Sequence, residues 1–330
     1  MCGLAPCAEV GLVAGESCQF GYINVGKFVD PLSGINYSQL EKLIRLMTRV
    51  LDNALEFSIE HYAHPLNQQV MRAKRKIGVG ICGLADMLLQ LRLPYSDLRS
   101  RRVAKDVIAF INYVSKLESH ELAKQRGSFG AMGFVSGCRY NDNPGFLEEK
   151  YGSLETRTVT PIMWRDLASK IRDTRLLRNA STVALPPTGR SGLVIDASTG
   201  IEPIFSLVGY GGEINPYLKR ELDKRRLLNE ALCRQIFGLG RVGSMGGVPH
   251  DIKAVYQTAL EIEPQEHLLM AGEIEKAVDE SIAKTVNIPG ASTTDDVVKI
   301  YLQAYKLRLK GITIFRTGSR KIQPRKLANL

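Results

Sequence analysis

Three side chains near the start of the sequence could do chemistry together. Cys7 and Glu9 stand two residues apart in Ala5-Pro6-Cys7-Ala8-Glu9, and Cys18 follows in Glu16-Ser17-Cys18. In an extended segment, residues two apart point to the same side, so one small substrate could touch both the thiol and the carboxylate. A glutamate can move a proton, and a cysteine can act as a nucleophile or a radical carrier. Most free cysteines are simply packed as small hydrophobes, and spacing alone leaves both readings open.

A second stretch could hold an anion. Pro187-Thr188-Gly189-Arg190-Ser191 offers turn amides, two hydroxyls and the donor fork of an arginine, a set that suits a phosphate. The same residue types also make ordinary surface turns. Gly238-Leu239-Gly240-Arg241-Val242-Gly243 matches a dinucleotide-binding string, but it follows a helical pattern instead of a strand, so a nucleotide fingerprint is rejected there. With no C-x-x-C pair and no histidine pair at ligand spacing, no structural metal is expected.

The elements that must position these groups alternate between strand and helix. Strands are expected at Phe20 to Val29, Lys76 to Ile81, Arg178 to Leu185 and Gly311 to Phe315, with a turn at Asp30 to Gly34. Helices are expected from Ser38 on, at Leu84 to Leu91, Val103 to Lys124, Trp164 to Ile171, Leu218 to Phe237, Pro264 to Met270, Glu273 to Lys284 and Asp295 to Leu309. Residues 128–160 read as a connecting excursion, and 186–192 as a tight loop. The alternation implies an α/β architecture with a largely parallel sheet or barrel.

Composition sets the outer bounds. The chain has 330 residues, 44% hydrophobic and 24% charged, enough for a large core and ordinary for a globular protein. Six scattered cysteines do not make a disulfide framework, and no run approaches a membrane span. A cytoplasmic location without membrane contact is expected. The formal charge of +10 suits an anionic ligand, and its clusters read as solvated helix faces with no direct nucleic-acid partner implied.

Taken in order, these segments resemble the large catalytic subunit of ribonucleotide reductase in its adenosylcobalamin-dependent (class II) form. Ala5-Pro6-Cys7-Ala8-Glu9 is similar to the family's N-P-C-G/A-E loop, and Glu16 to Val25 to its E-S-C-N-L-G-S-I-N-L segment. Lys76 to Leu88 resembles R-I-G-V-G-I-M-G-L-A-D-M-L. Arg178 to Ser181, the 186–192 loop and Ser198 to Pro203 resemble R-N-A-T, A-P-T-G-T-I-S and S-S-G-I-E-P. Lys284 to Pro289 and Lys310 to Arg316 resemble K-T-I-N-L-P and K-G-I-T-V-Y-R.

The resemblance implies a ten-stranded α/β barrel, of which residues 1–320 would be the second half plus the loop that threads its centre. Residues 321–330 would be a basic, disordered tail. It implies that Cys7 carries a thiyl radical that removes the 3′ hydrogen of a ribonucleotide. Glu9 would take the 3′-hydroxyl proton, and Cys18 would be one of two reducing thiols. Ala5, Pro6, Ala8 and Ser17 would line the substrate, and Pro187, Thr188, Gly189, Arg190 and Ser191 would hold its phosphates. Implied partners are a ribonucleoside di- or triphosphate, adenosylcobalamin, a separately encoded N-terminal reductase chain, a thioredoxin-like reductant and a second copy of this chain. The alternatives are a non-catalytic nucleotide-binding or subunit-interaction module and a specialised nucleotide-modifying radical enzyme.

Departures from the family strings sharpen these expectations. Ala5 replaces the loop asparagine, losing a polar substrate contact worth on the order of 1–3 kcal/mol. Arg190 replaces a small hydroxyl residue. Phe315 stands where the family string has tyrosine, which excludes a tyrosyl relay at that position and favours radical generation by a cofactor at the site.

Overall fold

The computed structural model describes residues 3–30, 32–130, 143, 145–209 and 211–320. The expected basic tail lies outside them, as does much of the 128–160 excursion. The chain opens with a hairpin in which β1 (Gly3–Leu4) and β2 (Gly11–Leu12) pair antiparallel. β3 (Gln19–Asn24) stops earlier than expected, because the Asn24 side chain accepts from the Gly26 amide and caps a 3₁₀ turn at Val25–Phe28. β4 (Val29–Asp30) and β5 (Gly34–Ile35) flank the expected turn, where Asp30 accepts from the Leu32 and Ser33 amides.

α1 (Tyr37–Ile59) is capped by Asn36, whose side chain accepts from the Gln39 amide. α2 (Pro65–Lys74), β6 (Ile77–Cys82), α3 (Leu84–Gln90) and α4 (Leu98–Arg126) follow. Then come α5 (Phe146–Tyr151), α6 (Pro161–Thr174), α7 (Gly189–Val194), α8 (Pro216–Lys224) and α9 (Glu230–Leu239). The chain continues through α10 (His250–Val255), α11 (Pro264–Glu275), β7 (Thr285–Ile288), α12 (Thr294–Lys306) and β8 (Thr313–Arg316).

Three expectations are corrected. The single helix expected over Leu218 to Phe237 is two, because Asn229 accepts from the Leu232 amide and starts α9 afresh. The helix expected over Glu273 to Lys284 ends at Glu275. Beyond it the chain is extended: the Glu280 and Ala283 amides donate to the carbonyls of Val183 and Leu185, and the Leu185 amide donates to Ser281. Strand pairing there overrides a helix-compatible sequence. The tight loop expected at 186–192 turns into α7 from Gly189 onward.

These pairings join into one sheet. β3 and β6 run parallel, in register from Gln19–Ile77 to Asn24–Cys82. On the other side of β6, the Ile77 and Val79 amides donate to Ser181 O and Thr182 O, so two residues of β6 match one of the 181–185 segment and the pairing there is irregular. Leu185 bridges Ile282 in parallel, and β7 pairs in parallel with β8. The order across the sheet is therefore β3, β6, 181–185, 280–288, β8. Two regular parallel ladders, β3–β6 and β7–β8, are thus joined through the irregular extended segments 181–185 and 280–283, and the described residues form a partial barrel that is open.

The two faces of the sheet differ. Ile23, Ile77, Val79, Ile81, Val183 and Leu185 are buried in one core with α1 and α4. On the opposite face Phe20 and Tyr22 cross two glycines. A Cβ added to Gly78 would collide with the Phe20 ring, and one on Gly80 would lie 3.3 Å from Tyr22 Cδ1 and 3.0 Å from Pro186 Cδ. Missing side chains on β6 are thus what let this inner face hold large rings.

At the outer edge of the core, Asp52 is fully buried among cations. Its carboxylate accepts from Arg75 at 2.8 Å, Arg178 at 3.3 Å, Arg126 at 3.0 Å and the Asn179 amide at 3.2 Å. Burial would raise its pKa, but Arg75 and then Arg178 outweigh burial and hold it below the usual carboxylate range. This cluster ties α1, α4 and the run leading into 181–185.

Candidate active site

The hairpin β1–β2 presents Cys7. Its closing residues are held by the Ala5 amide, which donates to Val10 O at 3.0 Å, and by the Ala8 amide, which donates to Ala5 O at 2.8 Å. Pro6 and Cys7 are the two corners of that four-residue turn, a place proline's fixed φ suits. Cys7 is left exposed at the tip. Ala8 has φ 62°, a left-handed conformation that costs a non-glycine residue about 1–2 kcal/mol. This turn, and not the extended geometry expected from the spacing, sets the relation between Cys7 and Glu9.

Glu9 is only 5% exposed, and its Oε2 has no hydrogen-bond partner. A buried carboxylate oxygen left open marks a place for a donor that the protein itself does not supply. The backbone beside it is fixed, since the Ser281 amide donates to Glu9 O at 3.0 Å. Partial burial, then the Glu9 charge, raises the Cys7 thiol above its ordinary pKa. Cys7 is therefore a neutral thiol at neutral pH, the form from which a hydrogen atom can be removed.

Cys18 precedes β3 and lies half-buried with the same alternation as Phe20 and Tyr22. Burial raises its pKa most, followed by Glu280, with Glu16 and Glu9 adding and Lys76 opposing. Cys7, Glu9 and Cys18 are thus brought to one region. Ala5 and Ala8 are half-buried and Pro6 exposed within the same turn. Ser17 faces elsewhere: its hydroxyl lies 2.5 Å from the Tyr62 hydroxyl, and its amide faces Met71 Sδ at 3.2 Å.

The 187–191 stretch follows the 181–185 strand at its carboxyl end. Thr188 is buried, and its hydroxyl accepts from the Gly200 amide at 2.7 Å, so it ties this loop to the 198–203 segment. Pro187, Arg190 and Ser191 are exposed and Gly189 half-buried at the start of α7. The 198–203 segment is fixed in turn. The Ser198 amide donates to Asp86 at 2.6 Å, the Gly83 amide to Ser198 O at 2.7 Å, and the Thr285 amide to Glu202 at 2.7 Å. Lys284 pairs with Glu202 and donates to His267 Nδ1 at 3.0 Å. Burial, then Lys284, pushes His267 down to about 3, so this imidazole stays neutral.

Sequence reasoning missed four residues near these groups: Tyr22, Lys76, Cys82 and Glu280. Burial, then Glu9 and then Cys82, raises the Tyr22 phenol, so this ring stands between the hairpin and the end of β6. Burial, then Asp86, pushes Cys82 up to about 11. Period-two alternation from Cys18 could have placed Tyr22 on the inner face; nothing local marks Lys76 or Glu280. The glycine string at 238–243 begins in the last two residues of α9, and Gly240 at φ 64° caps that helix.

A profile of the family "Ribonucleotide reductase, barrel domain" matches residues 5–315. The chain belongs to that family. It is 31% identical over 325 residues to a protein from Mycobacterium tuberculosis named vitamin B12-dependent ribonucleoside-diphosphate reductase, covering 96% of this chain and 42% of that one. A Thermoplasma acidophilum protein of the same name is 30% identical over 329 residues, covering 96% and 38%. The solved class Id ribonucleotide reductase alpha subunit of Actinobacillus ureae superposes with a TM-score of 0.73 at 20% identity, covering 94% of this chain and 52% of that one, and shares the fold. The chain thus spans about two-fifths of the length of the curated relatives it matches.

Proposed function

We propose that this chain carries the radical-bearing half of a ribonucleotide reductase and takes part in reducing ribonucleotides to 2′-deoxyribonucleotides. One observation carries the reading: Cys7 is an exposed neutral thiol at a hairpin tip, beside a buried Glu9 carboxylate with an open oxygen. Cys7 loses a hydrogen atom and then takes the 3′ hydrogen of the ribose. Glu9 accepts the 3′-hydroxyl proton as the 2′-hydroxyl leaves as water. Two thiols, Cys18 and one from outside this chain, supply two electrons and two protons and end as a disulfide, after which Glu9 returns its proton to the 3′ oxygen and Cys7 its hydrogen atom to the 3′ carbon. A thioredoxin-like dithiol then returns the disulfide to thiols. The half-buried Gly189 and the exposed Arg190 and Ser191, steadied by Thr188 beneath them, supply donors that hold the phosphates of a di- or triphosphate.

Adenosylcobalamin fits as the source of the radical, as the names of the similar B12-dependent reductases suggest. Cys7 is open at the tip, and the family's tyrosine position holds Phe315. When bound, the cofactor would supply the radical that oxidises the Cys7 thiol. A separately encoded N-terminal chain would provide the other half-barrel.

The test is reconstitution. The purified chain would be combined with adenosylcobalamin, a dithiol reductant, each common ribonucleotide and each candidate upstream chain. Deoxynucleotide is expected with the correct partner, and none with Cys7→Ser. The reading fails if no combination makes deoxynucleotide, or if Cys7→Ser leaves the product unchanged. Nucleotide binding without turnover would support a non-catalytic module instead.

A further inference from the structure

The base of the hairpin is gripped by an ion pair, its lysine buried and its glutamate half-buried, that none of the proposed chemistry uses. Lys76 Nζ donates to Gly11 O at 2.8 Å and lies 3.2 Å from Glu280 Oε1. The Gly11 amide donates to Glu280 Oε2 at 3.4 Å. Both polar groups of one backbone residue are thus held by the two partners of one ion pair. Because Gly11 pairs with Leu4, the grip reaches the whole Ala5–Val10 turn.

The same pair borders Cys18. Gln19 stands opposite Ile77 in the parallel ladder, so Lys76, one residue earlier, is the strand neighbour of Cys18. Glu280 precedes Ser281, whose amide holds Glu9. Lys76 is 6% exposed and also lies 3.3 Å from Glu16 Oε1, while Lys74 holds Glu16 Oε2 at 3.0 Å. The charged groups around Cys18 are therefore Glu9 from the hairpin, Glu16 from its own segment, Lys76 before β6, and Glu280 from the 280–283 segment.

We propose that Lys76 and Glu280 are positioning residues that seat the Cys7 hairpin and form the charged surround of the Cys18 thiol. Lys76 attracts the thiolate, whereas Glu280 repels it and shares its cation with Glu16. Burial keeps Cys18 a thiol, with Glu280 adding to that effect and Lys76 opposing it, while the pair holds the base of the Cys7 hairpin through Gly11. The catalytic consequence rests on the reductase reading; the seat and the thiol's electrostatics do not.

The experiment separates the two. Iodoacetamide modification of Cys18 in the intact chain, followed by peptide mass spectrometry at several alkaline pH values, reads the thiolate directly. Relative to the native chain, Lys76→Met is expected to slow Cys18 modification by roughly three- to tenfold, and Glu280→Gln to speed it by a similar factor, as removing one close charge of each sign does. Lys76→Arg keeps the cation and is expected to stay within about twofold of the native rate. Opposite signs are the signature, because mere loosening would speed both. The proposal is overturned if both variants speed modification or neither changes it. Should Lys76→Met fail to fold, Glu280→Gln and Lys76→Arg still decide. In the reconstituted enzyme, Glu280→Gln is expected to lower kcat with KM unchanged; a native enzyme without activity would sink the reductase reading and leave the alkylation result standing.

Discussion

Two thiols with the same side chain have different environments here. Cys7 is exposed and Cys18 half-buried among three carboxylates. Cys7 is expected to react with iodoacetamide at least about tenfold faster than Cys18, since the thiolate is the reactive form. Peptide mass spectrometry along a time course checks this, and equal rates would contradict the placement of Cys18. At Asp52 the sign of the pH effect follows from its depressed pKa: the stabilisation is present above the unfolded value, near 3.9, and is lost as pH falls through the lower folded value. His267, held near 3, acts in the same direction from about pH 6.5 downward. Denaturant midpoints are expected to fall steadily on acidification. Asp52→Asn is expected to cost about 3–5 kcal/mol near neutral pH, because Arg75 and Arg178 would remain buried without their counter-charge. Of these residues, Cys7, Glu9 and Cys18 could be read from the sequence because reactive types cluster there. Asp52, Lys76 and Glu280 could not, because their partners lie far away along the chain and charge type alone does not reveal burial.

Elements were most legible where local rules and tertiary pairing agree. α1 and α4 followed their helical periodicity, and β6 followed its short apolar run with glycines. The run from Glu280 to Ala283 was illegible because its partner strand, 181–185, lies nearly a hundred residues away and lends it extended pairing that its own residue types do not demand. Gly78 shows the reverse dependence, a small residue whose necessity is visible only in the folded sheet. Gly78→Ala would press a methyl group into the Phe20 ring and is expected to destabilise by about 1–3 kcal/mol. A double-mutant cycle with Phe20→Leu, read by urea denaturation, should recover part of the loss. Strict additivity would show that the two do not touch.

At the scale of the molecule, two parallel ladders, β3–β6 and β7–β8, are bridged by extended segments into an open, partial barrel. Among the described residues, β3 pairs only with β6 and β8 only with β7, so both edges carry unpaired backbone groups. Edge strands of this kind invite further pairing. The chain expressed by itself is expected to associate in a concentration-dependent way, measurable by sedimentation velocity. If the proposed N-terminal chain completes the barrel, adding it should turn these associated species into one defined complex. A strictly monomeric species at high concentration would count against a half-barrel that needs covering. No described helix is long and apolar enough to cross a membrane.

The grip on Gly11 also has a consequence in time. Gly11 and Glu280 are 269 residues apart in sequence, yet the second holds the first. At ribosomal speeds the hairpin that carries Cys7 waits on the order of tens of seconds before its seat has been synthesised. Contacts of such long range close late, after the local helices have formed. Cys7 is therefore placed long after it is made, and a chain truncated before Glu280 should fold its α1–β6–α4 core while leaving Cys7 undocked.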